Sequence, residues 1–231
     1  SIVAKATVLA TGGSGQVFGV TSNPFVSTGD GVAMAYRAGA KLEKMKYIQF
    51  HPTALYEPNK SQAFLITEAI RGFGAHILNQ KMERFVFQYH PDGELATRDI
   101  VSKAISDQMK KEHSKHVWLD VRHLPIETFK TKFPKVYNYC FENGIDVSKD
   151  LIPIAPAAHY QCGGIVVDET GATSIKQLYA IGECSHTGLH GVNRLASNSL
   201  LEAIVYAHDL ANHLISSIDT IKLNKSEITP I

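Results

Sequence analysis

The feature that most constrains the fold is a short apolar run that ends in two glycines, KATVLATGG at 5–13. Runs of this length and composition are typical of buried strands, and Gly12 and Gly13 indicate a tight turn directly after the strand. Asp30 follows Gly29 as an expected helix cap, and this helix is expected to continue to about Gly39. A strand, a glycine turn and a helix in this order predict an α/β fold.

The pattern changes in the middle of the chain. The segments SQAFLITEAIRGFGAHI (61–77) and TRDIVSKAISDQMKKE (97–112) have helical spacing, and Thr97 is placed as an N-cap. VWLDV (117–121) predicts a short strand, and two amphipathic helices are expected between Pro125 and Gly144. A β-rich pattern returns at AAHYQCGG (157–164) and ends in LYAIGE (178–183), before a last helix capped near Ser197.

These changes predict a discontinuous organisation. One α/β domain, a partial Rossmann-like nucleotide-binding domain, is expected at 1–45 and 160–217, interrupted by a mixed α+β insertion at 46–159. Residues 218–231 are interpreted as a linker or the stub of a further domain. The chain begins without Met, on what resembles the end of a structural unit, so it is expected to be a fragment of a longer protein.

Composition excludes several classes of partner. With 23 Lys and Arg against 22 Asp and Glu, the formal charge is +1, which argues against nucleic acid or an anionic membrane as partner. No run of about 18 apolar residues or signal peptide is found. Cys140, Cys162 and Cys184 lack C-x-x-C spacing, which favours reduced thiols in the cytoplasm.

Three familiar motifs are incomplete. GSGQVF at 13–18 has Phe18 where the dinucleotide fingerprint G-x-G-x-x-G requires its third Gly. His186 and His190 have i,i+4 spacing, but Gly188 between them argues against a helical metal site, so no metal is expected. No G-x-S-x-G elbow supports a serine nucleophile. The first motif therefore predicts a glycine-rich turn against a ligand, and not a complete phosphate site.

A set of polar residues beside Gly, Pro and small side chains predicts an anion site. Arginine forks pair bidentately with carboxylates, so two Arg and two His suit a small acid with two negative charges. Each residue alone is more typical of a cap or a surface pair. The set consists of His51, Thr67, Glu68, Arg98, His159 and Arg194.

Together with VLATGG, these motifs resemble the flavoprotein family of succinate dehydrogenase, fumarate reductase and L-aspartate oxidase over nearly the whole chain. HPTAL carries Ala54 where the succinate and fumarate enzymes usually have Gly, and HYQCGG carries Cys162 where they tend to have Met. With HTGLHGVNRLASNSLLEA (186–203), these details resemble the aspartate-oxidising branch.

The resemblance implies non-covalent FAD and oxidation of L-aspartate to iminoaspartate, the first step toward quinolinate and NAD. Oxygen or fumarate would then accept the electrons, and quinolinate synthase is an implied partner. A succinate dehydrogenase or fumarate reductase flavoprotein is the alternative enzyme. A catalytically silent fragment that binds dicarboxylates is the alternative of another class.

The resemblance also assigns residues. It implies that His51, Thr67, His159 and Arg194 hold the substrate carboxylates, that Glu68 supports the site, and that His51 and His159 act with Arg98 in catalysis. Arg98 matches a proton shuttle in fumarate-reducing relatives. Since a guanidinium is a weak base, an electrostatic clamp is the other role considered. Positions that match flavin-binding residues are Thr11, Gly12, Gly13, Glu183, Asn198, Ser199 and Leu200.

Helix chemistry agrees with part of this assignment, because the free N–H groups at a helix start can hold an electron-rich carbonyl edge. Two residues depart from the family pattern: Phe73 stands where an acid is usual, and Thr97 stands where Pro is usual. The insertion at 46–159 resembles the family's capping domain. The N-terminal half of the FAD domain and the C-terminal helical domain are expected to lie outside this chain, so the fragment alone is expected to bind FAD weakly and to be inactive.

Overall fold

The structure is a computed structural model that describes residues 3–58 and 60–222. The chain divides into two compact units. The first contains the described residues of Ser1–Val17, Phe25–Gln49 and Tyr160–Ile231, and the second contains Phe18–Pro24 and the described residues of Phe50–His159. The predicted boundaries lay after 45 and after 159. In the structure the first unit extends to Gln49, and a short segment before α1 groups with the second unit. The assignment of FAD-binding and capping roles stays a prediction.

The described chain contains both α-helices and β-strands. The helices are Asp30–Arg37 (α1), Ala69–Gly72 (α2), Arg98–Lys111 (α3), Ile126–Lys132 (α4), Pro134–Glu142 (α5) and Asn198–Ser217 (α6). The strands are Thr7–Leu9 (β1), Leu42–Glu43 (β2), Ile48–Leu55 (β3), His76–Leu78 (β4), Val117–Asp120 (β5), Ile152–Gln161 (β6), Gly164–Val166 (β7), Leu178–Ala180 (β8) and Ser185–His186 (β9).

The first unit carries two small sheets. β1 pairs with β8 in parallel, with Val8 opposite Tyr179, and β2, β7 and β9 form a three-stranded sheet. Val32 and Ala35 on α1 pack with Ile165 and Ala180 in a small buried cluster. Gly12 and Gly13 follow the end of β1 after two intervening residues, and Gly12 has a left-handed φ of 71°. Parallel strands combined with helices confirm the predicted α/β class.

The second unit has a larger core around the sheet β3-β6-β5-β4. The spacing of Val101, Ala104 and Ile105 places three buried side chains on one face of α3, which packs against β5. Phe129 on α4 joins the same cluster. The predicted helices at 97–112 and within 125–144 and the strand at 117–121 are therefore confirmed.

The predicted helix at 61–77 is wrong over most of its length, since only Ala69–Gly72 is helical. The preceding segment runs beside β3: the Leu55 N–H donates to the Phe64 carbonyl at 2.8 Å, and the Ile66 N–H donates to the Thr53 carbonyl at 2.9 Å. Pairing with a neighbouring strand satisfies this apolar backbone, so tertiary contacts override the helical spacing.

The predicted caps are confirmed in part: Thr97 and Ser197 occupy N-cap positions and Asp30 does not, and neither Thr97 nor Ser197 caps its helix through a side-chain hydrogen bond. Gly29, with φ 77°, is the N-cap of α1, which places Asp30 in the first turn, and α1 ends at Arg37. Thr97 occupies the N-cap of α3, but its hydroxyl donates to Asp99 Oδ1 at 2.6 Å. Ser197 precedes α6 with φ 67° and makes no side-chain cap hydrogen bond. A left-handed Ser is uncommon, so this loop departs from an ordinary Ser cap.

Two predictions concern the ends of the chain and its relation to membranes. α6 ends at Ser217, and most of the predicted linker, 223–231, lies outside the described residues. Within the described part of the chain, no helix is both long enough and apolar enough to cross a bilayer.

Candidate functional site

The turn after β1 leaves bare backbone in the first unit. Gly12 has φ 71° and Gly182 has φ 68°, and no other part of the described chain lies within 4 Å of the position that a Cβ would occupy at either residue. At Gly13 a Cβ would lie 2.1 Å from Oε1 of Glu183. Only glycine allows this approach, so the turn and the Glu183 carboxyl group form one surface with open space beside it.

Glu183 is held in place by the end of β6. The Gln161 N–H donates to Glu183 Oε1 at 2.8 Å, and the Gln161 side chain accepts a hydrogen bond from Ser14 in the glycine turn. Burial raises the pKa of the Glu183 carboxyl group, although the Gln161 hydrogen bond and Arg194 oppose this effect. A partly buried carboxyl group with one oxygen anchored suits a ligand hydroxyl at the other oxygen.

The remaining predicted flavin residues are Thr11, in the segment after β1, and three residues at the start of α6. Thr11 packs against the start of α1, where a Cβ at Gly31 would lie 2.0 Å from its Oγ1. Asn198, Ser199 and Leu200 form the first turn of α6, and α6 packs against the turn Gly182–Cys184 that carries Glu183.

Arg194 lies in the loop between β9 and α6 and is 5% exposed. Gln49 Nε2 donates to the Arg194 carbonyl at 2.6 Å and to Asn193 Oδ1 at 2.7 Å. The guanidinium carbon lies 4.3 Å from the centroid of the Tyr160 ring. A cation over an aromatic face is stabilised electrostatically, so both the backbone and the side chain of Arg194 are held in position.

In the second unit the structure brings the two predicted histidines together. His51 on β3 and His159 on the neighbouring β6 have ring centroids 5.2 Å apart in an edge-to-face arrangement. Ser22 Oγ lies 2.7 Å from Nδ1 of His159, and Asn23 Nδ2 donates to the His159 carbonyl at 3.1 Å. A hydroxyl that donates to Nδ1 leaves the imidazole proton on Nε2, where it can be donated to a carboxylate.

Thr67 follows the segment that pairs with β3. The Thr53 N–H donates to His51 Nδ1 at 3.3 Å, and Thr53 Oγ1 donates to the Ile66 carbonyl at 2.8 Å. Thr67 therefore directly follows Ile66, whose carbonyl is hydrogen-bonded to β3, the strand that carries His51. Thr67 also borders a cavity of about 370 Å³ that is lined in part by Phe64 and Phe133.

Glu68 lies between two guanidinium groups of the same unit. Arg98 Nε donates to Glu68 Oε2 at 2.7 Å, and Arg71 Nη2 lies 3.6 Å from the same oxygen. Arg71 is buried, and its Nη1 donates to the carbonyls of Glu94 and Ala96. Burial lowers the pKa of Arg71, whereas Glu68 opposes this shift, and a guanidinium remains charged at neutral pH. The array carries two positive charges and one negative charge.

The helix that begins with Arg98 is anchored beside the His51 strand. Ser102, one turn into α3, donates through Oγ to the Phe50 carbonyl at 3.0 Å. His51, His159, Thr67, Glu68 and Arg98 are thus all connected within the second unit, whereas Arg194 and the predicted flavin residues belong to the first.

Sequence reasoning missed several of these groups. Arg71 was detectable, because it follows Glu68 at i,i+3 spacing across the start of α2. Gln49 and Tyr160 had no local signal, since their roles depend on partners about 145 and about 30 residues away. Among residues 3–58 and 60–222, no group of three or more His, Cys, Asp or Glu side chains could hold a metal ion.

The parallel strand β1, the glycines after it, the partly buried Glu183 carboxyl group and the start of α6 are together typical of an α/β protein of the nucleotide-binding class. The chain belongs to the FAD binding domain family, whose model matches residues 1–200. The partly exposed backbone at Gly12 and the second carboxyl oxygen of Glu183 are chemically suited to a cofactor that carries hydroxyl groups.

Curated relatives give a narrower comparison. L-aspartate oxidase of Nostoc sp. is 54% identical over 213 residues, which are 90% of this chain and 37% of the relative. L-aspartate oxidase of Yersinia pestis is 49% identical over 222 residues, which are 96% of this chain and 42% of the relative. The chain therefore spans about two fifths of the length of these relatives.

Solved structures show the same fold. A mutant of the E. coli quinol fumarate reductase is 36% identical, with a TM-score of 0.86, and the match covers 96% of this chain and 40% of that chain. Sdh1 of Mycobacterium smegmatis is 37% identical, with a TM-score of 0.78, and the match covers 96% of this chain and 38% of that chain.

Proposed function

We propose that the protein containing this chain is a flavin-dependent L-aspartate oxidase. The observation that carries the proposal is the identity of about one half to L-aspartate oxidases over at least nine tenths of the chain. The pair of His51 and His159 and the array of Arg98, Glu68 and Arg71 support it, because both suit a small acidic substrate.

FAD supplies a two-electron acceptor for the substrate carbon when it is bound. We infer that the bare backbone of Gly12 and Gly13 approaches the cofactor and that Glu183 accepts from a ribityl hydroxyl. The N–H groups of Asn198, Ser199 and Leu200 at the start of α6 are suited to an electron-rich carbonyl edge.

The substrate has two carboxylates and an amino group. We assign His51, Thr67 and His159 to hydrogen bonds with carboxylate oxygens, and Arg194 to a charged hydrogen bond with a carboxylate. The Ser22 hydroxyl orients His159, and Gln49 and Tyr160 position Arg194. These contacts hold the substrate through its carboxylates and leave its Cα–H bond available for oxidation.

Arg98 is assigned to charge stabilisation during aspartate oxidation. Its Nε is already bonded to Glu68, so Arg98 is oriented before substrate binds. When fumarate is the electron acceptor, carbon requires a proton, and the contact with Glu68 gives Arg98 a carboxylate from which to regain one. The product of aspartate oxidation is an imine, which water hydrolyses, so quinolinate synthase is a chemically reasonable partner to consume it.

The test is a substrate comparison with the flavin-loaded protein. L-aspartate should reduce the flavin under anaerobic conditions and yield iminoaspartate, detected as oxaloacetate and ammonia after hydrolysis. Succinate should leave the flavin oxidised. Flavin reduction by succinate with no reaction of L-aspartate would overturn the proposal.

That opposite result would support a succinate dehydrogenase or fumarate reductase flavoprotein. The fold match to the quinol fumarate reductase favours this second candidate. The lower identity of 36%, against about one half for the oxidases, is the reason it ranks second.

A further inference from the structure

Four side chains form a buried polar network between the loop that carries Arg194 and the start of α6. His190 Nε2 donates to Glu202 Oε2 at 2.6 Å, and Thr187 Oγ1 donates to Glu202 Oε1. The Tyr160 hydroxyl lies 3.4 Å from Glu202 Oε2 and 3.3 Å from His190 Nε2. One carboxylate therefore contacts three side chains from β6 and the loop.

Glu202 is an unusual residue for this position. Its side chain is 2% exposed and that of His190 is 6% exposed, on a helix whose neighbouring Leu200, Leu201 and Ile204 are exposed. Burial alone would raise the pKa of Glu202, but hydrogen bonds from His190 and Thr187 lower it below its ordinary value. A buried carboxylate is costly unless it is paired and hydrogen-bonded, and Glu202 meets both conditions.

The network ends at Arg194. The Arg194 guanidinium lies over the Tyr160 ring, and the hydroxyl at the far end of that ring lies beside Glu202. The His190 ring meets the Tyr160 ring edge to face, with centroids 5.2 Å apart. Glu202 and His190 thus fix the position of the hydroxyl end of the Tyr160 ring, on whose face Arg194 rests.

We propose that Glu202, acting through His190 and Tyr160, is a positioning residue that holds the Arg194 guanidinium ready to bind a substrate carboxylate. This inference rests on the proposed function only in taking a dicarboxylate as the ligand. Glu202 itself contacts no substrate. Its effect is to keep the loop and the ring in one arrangement before binding, which reduces the entropy lost when the carboxylate arrives.

The test is a double-mutant cycle in the flavin-loaded protein, with succinate as the probe. Dissociation constants are measured by calorimetry and by the change in flavin absorbance for the wild type, Glu202→Gln, Arg194→Gln and the double variant. Glu202→Gln should weaken succinate binding about tenfold, and in the Arg194→Gln background the same change should cost less than about twofold. KM for L-aspartate should rise with Glu202→Gln while kcat changes little.

A matched control separates positioning from general stability. Asp168 in the same unit also accepts several hydrogen bonds, from Thr170 and from the Ala172 N–H, but within the described chain its side chain shares no hydrogen bond with Glu202, His190 or Tyr160. Asp168→Asn should leave succinate binding unchanged. Equal losses from Glu202→Gln in the wild-type and Arg194→Gln backgrounds would overturn the proposal, because the effect would not pass through Arg194.

A second variant keeps the test informative if Glu202→Gln does not fold. Tyr160→Phe keeps the ring under Arg194 and removes the hydroxyl that meets Glu202, so it should weaken succinate binding severalfold, again only when Arg194 is present. Unchanged binding in Tyr160→Phe would contradict the proposal. Because succinate binding is measured directly, these results are independent of whether L-aspartate is oxidised.

Discussion

Arg98 is the residue at which clamp and proton-shuttle roles give different expectations. Its contact with Glu68 uses Nε, and Glu68 also faces the buried Arg71. Charge stabilisation needs only a nearby cation. Proton transfer to carbon needs one N–H group of the side chain to point at the carbon that accepts the proton.

Replacing Arg98 with Lys should separate the two reactions. Lys keeps the positive charge but loses the planar fork, so fumarate reduction should fall by about 10²-fold or more, while L-aspartate oxidation falls by less than about tenfold. Steady-state rates with both substrates provide the measurement. Similar losses in both reactions would show that Arg98 acts only as a clamp.

His116 provides a prediction about stability. Its ring stacks on Tyr56 and meets Trp118 edge to face, and its two nitrogens have no hydrogen-bond partner within the described chain. Burial lowers the pKa of His116 below its ordinary value of 6.5. The unfolded chain therefore binds a proton at a higher pH than the folded chain, so stability declines as pH falls below about 6.5 and continues to decline until the folded-state pKa is passed.

The variant His116→Phe removes this protonation and should show a smaller loss of stability between pH 8 and pH 5 than the wild type. Urea unfolding at the two pH values measures the difference. If His116→Phe and the wild type lose the same stability between the two pH values, protonation of His116 is not the cause of the loss.

At the scale of elements, close backbone approaches decide where side chains are tolerated. Gly163, between β6 and β7, lies so close to the segment after β2 that a Cβ would be 2.2 Å from the Lys44 carbonyl oxygen. A backbone carbonyl cannot move aside as a flexible side chain can. By contrast, at Gly72 in α2 a Cβ would meet no other segment within 4 Å among residues 3–58 and 60–222.

These two glycines should respond oppositely to substitution by alanine. Gly163→Ala should lower the free energy of unfolding by about 1–3 kcal/mol, because β2 and β7 must separate to admit the methyl group. Gly72→Ala should raise it by about 0.5–1 kcal/mol through helix propensity and lost freedom of the unfolded chain. Thermal unfolding followed by circular dichroism compares the two variants. If Gly163→Ala leaves the stability unchanged, the backbone at Gly163 and the Lys44 carbonyl are farther apart in solution than in the structure.

At the scale of the whole molecule, the two units differ in how much apolar surface each buries. The cluster in the second unit includes large side chains such as Phe85, Phe129, Ile105 and Leu119, whereas the cluster in the first unit contains mainly small ones. Burial of apolar surface is the dominant favourable term in folding, so the units are expected to differ in local stability.

Hydrogen exchange followed by mass spectrometry should detect this difference. Amides of α3 and β5 should exchange at least about tenfold more slowly than those of α1 and β8 under native conditions. Phe129→Leu should speed exchange mainly in peptides of the second unit. Uniform exchange across both units would indicate a single cooperative unit instead.

Local patterns predicted much of the architecture because their signals depend on neighbours in sequence. The apolar face of α3, the β5 strand and the glycine turn after β1 could each be read from a few consecutive residues. The segment before α2 was misread, because helical spacing there also suits an extended segment once β3 lies beside it.

By itself, the sequence determined the α/β class, the glycine turn and the residue types suited to a dicarboxylate. Only the tertiary structure decided which of these residues meet: Ser14 with Gln161, Glu68 with both arginines, and Tyr160 beneath Arg194. Backbone geometry and side-chain periodicity act over a few residues, so they can be predicted locally. Hydrogen bonds and ring contacts between segments that are distant in sequence depend on the path of the chain, which short-range patterns do not encode.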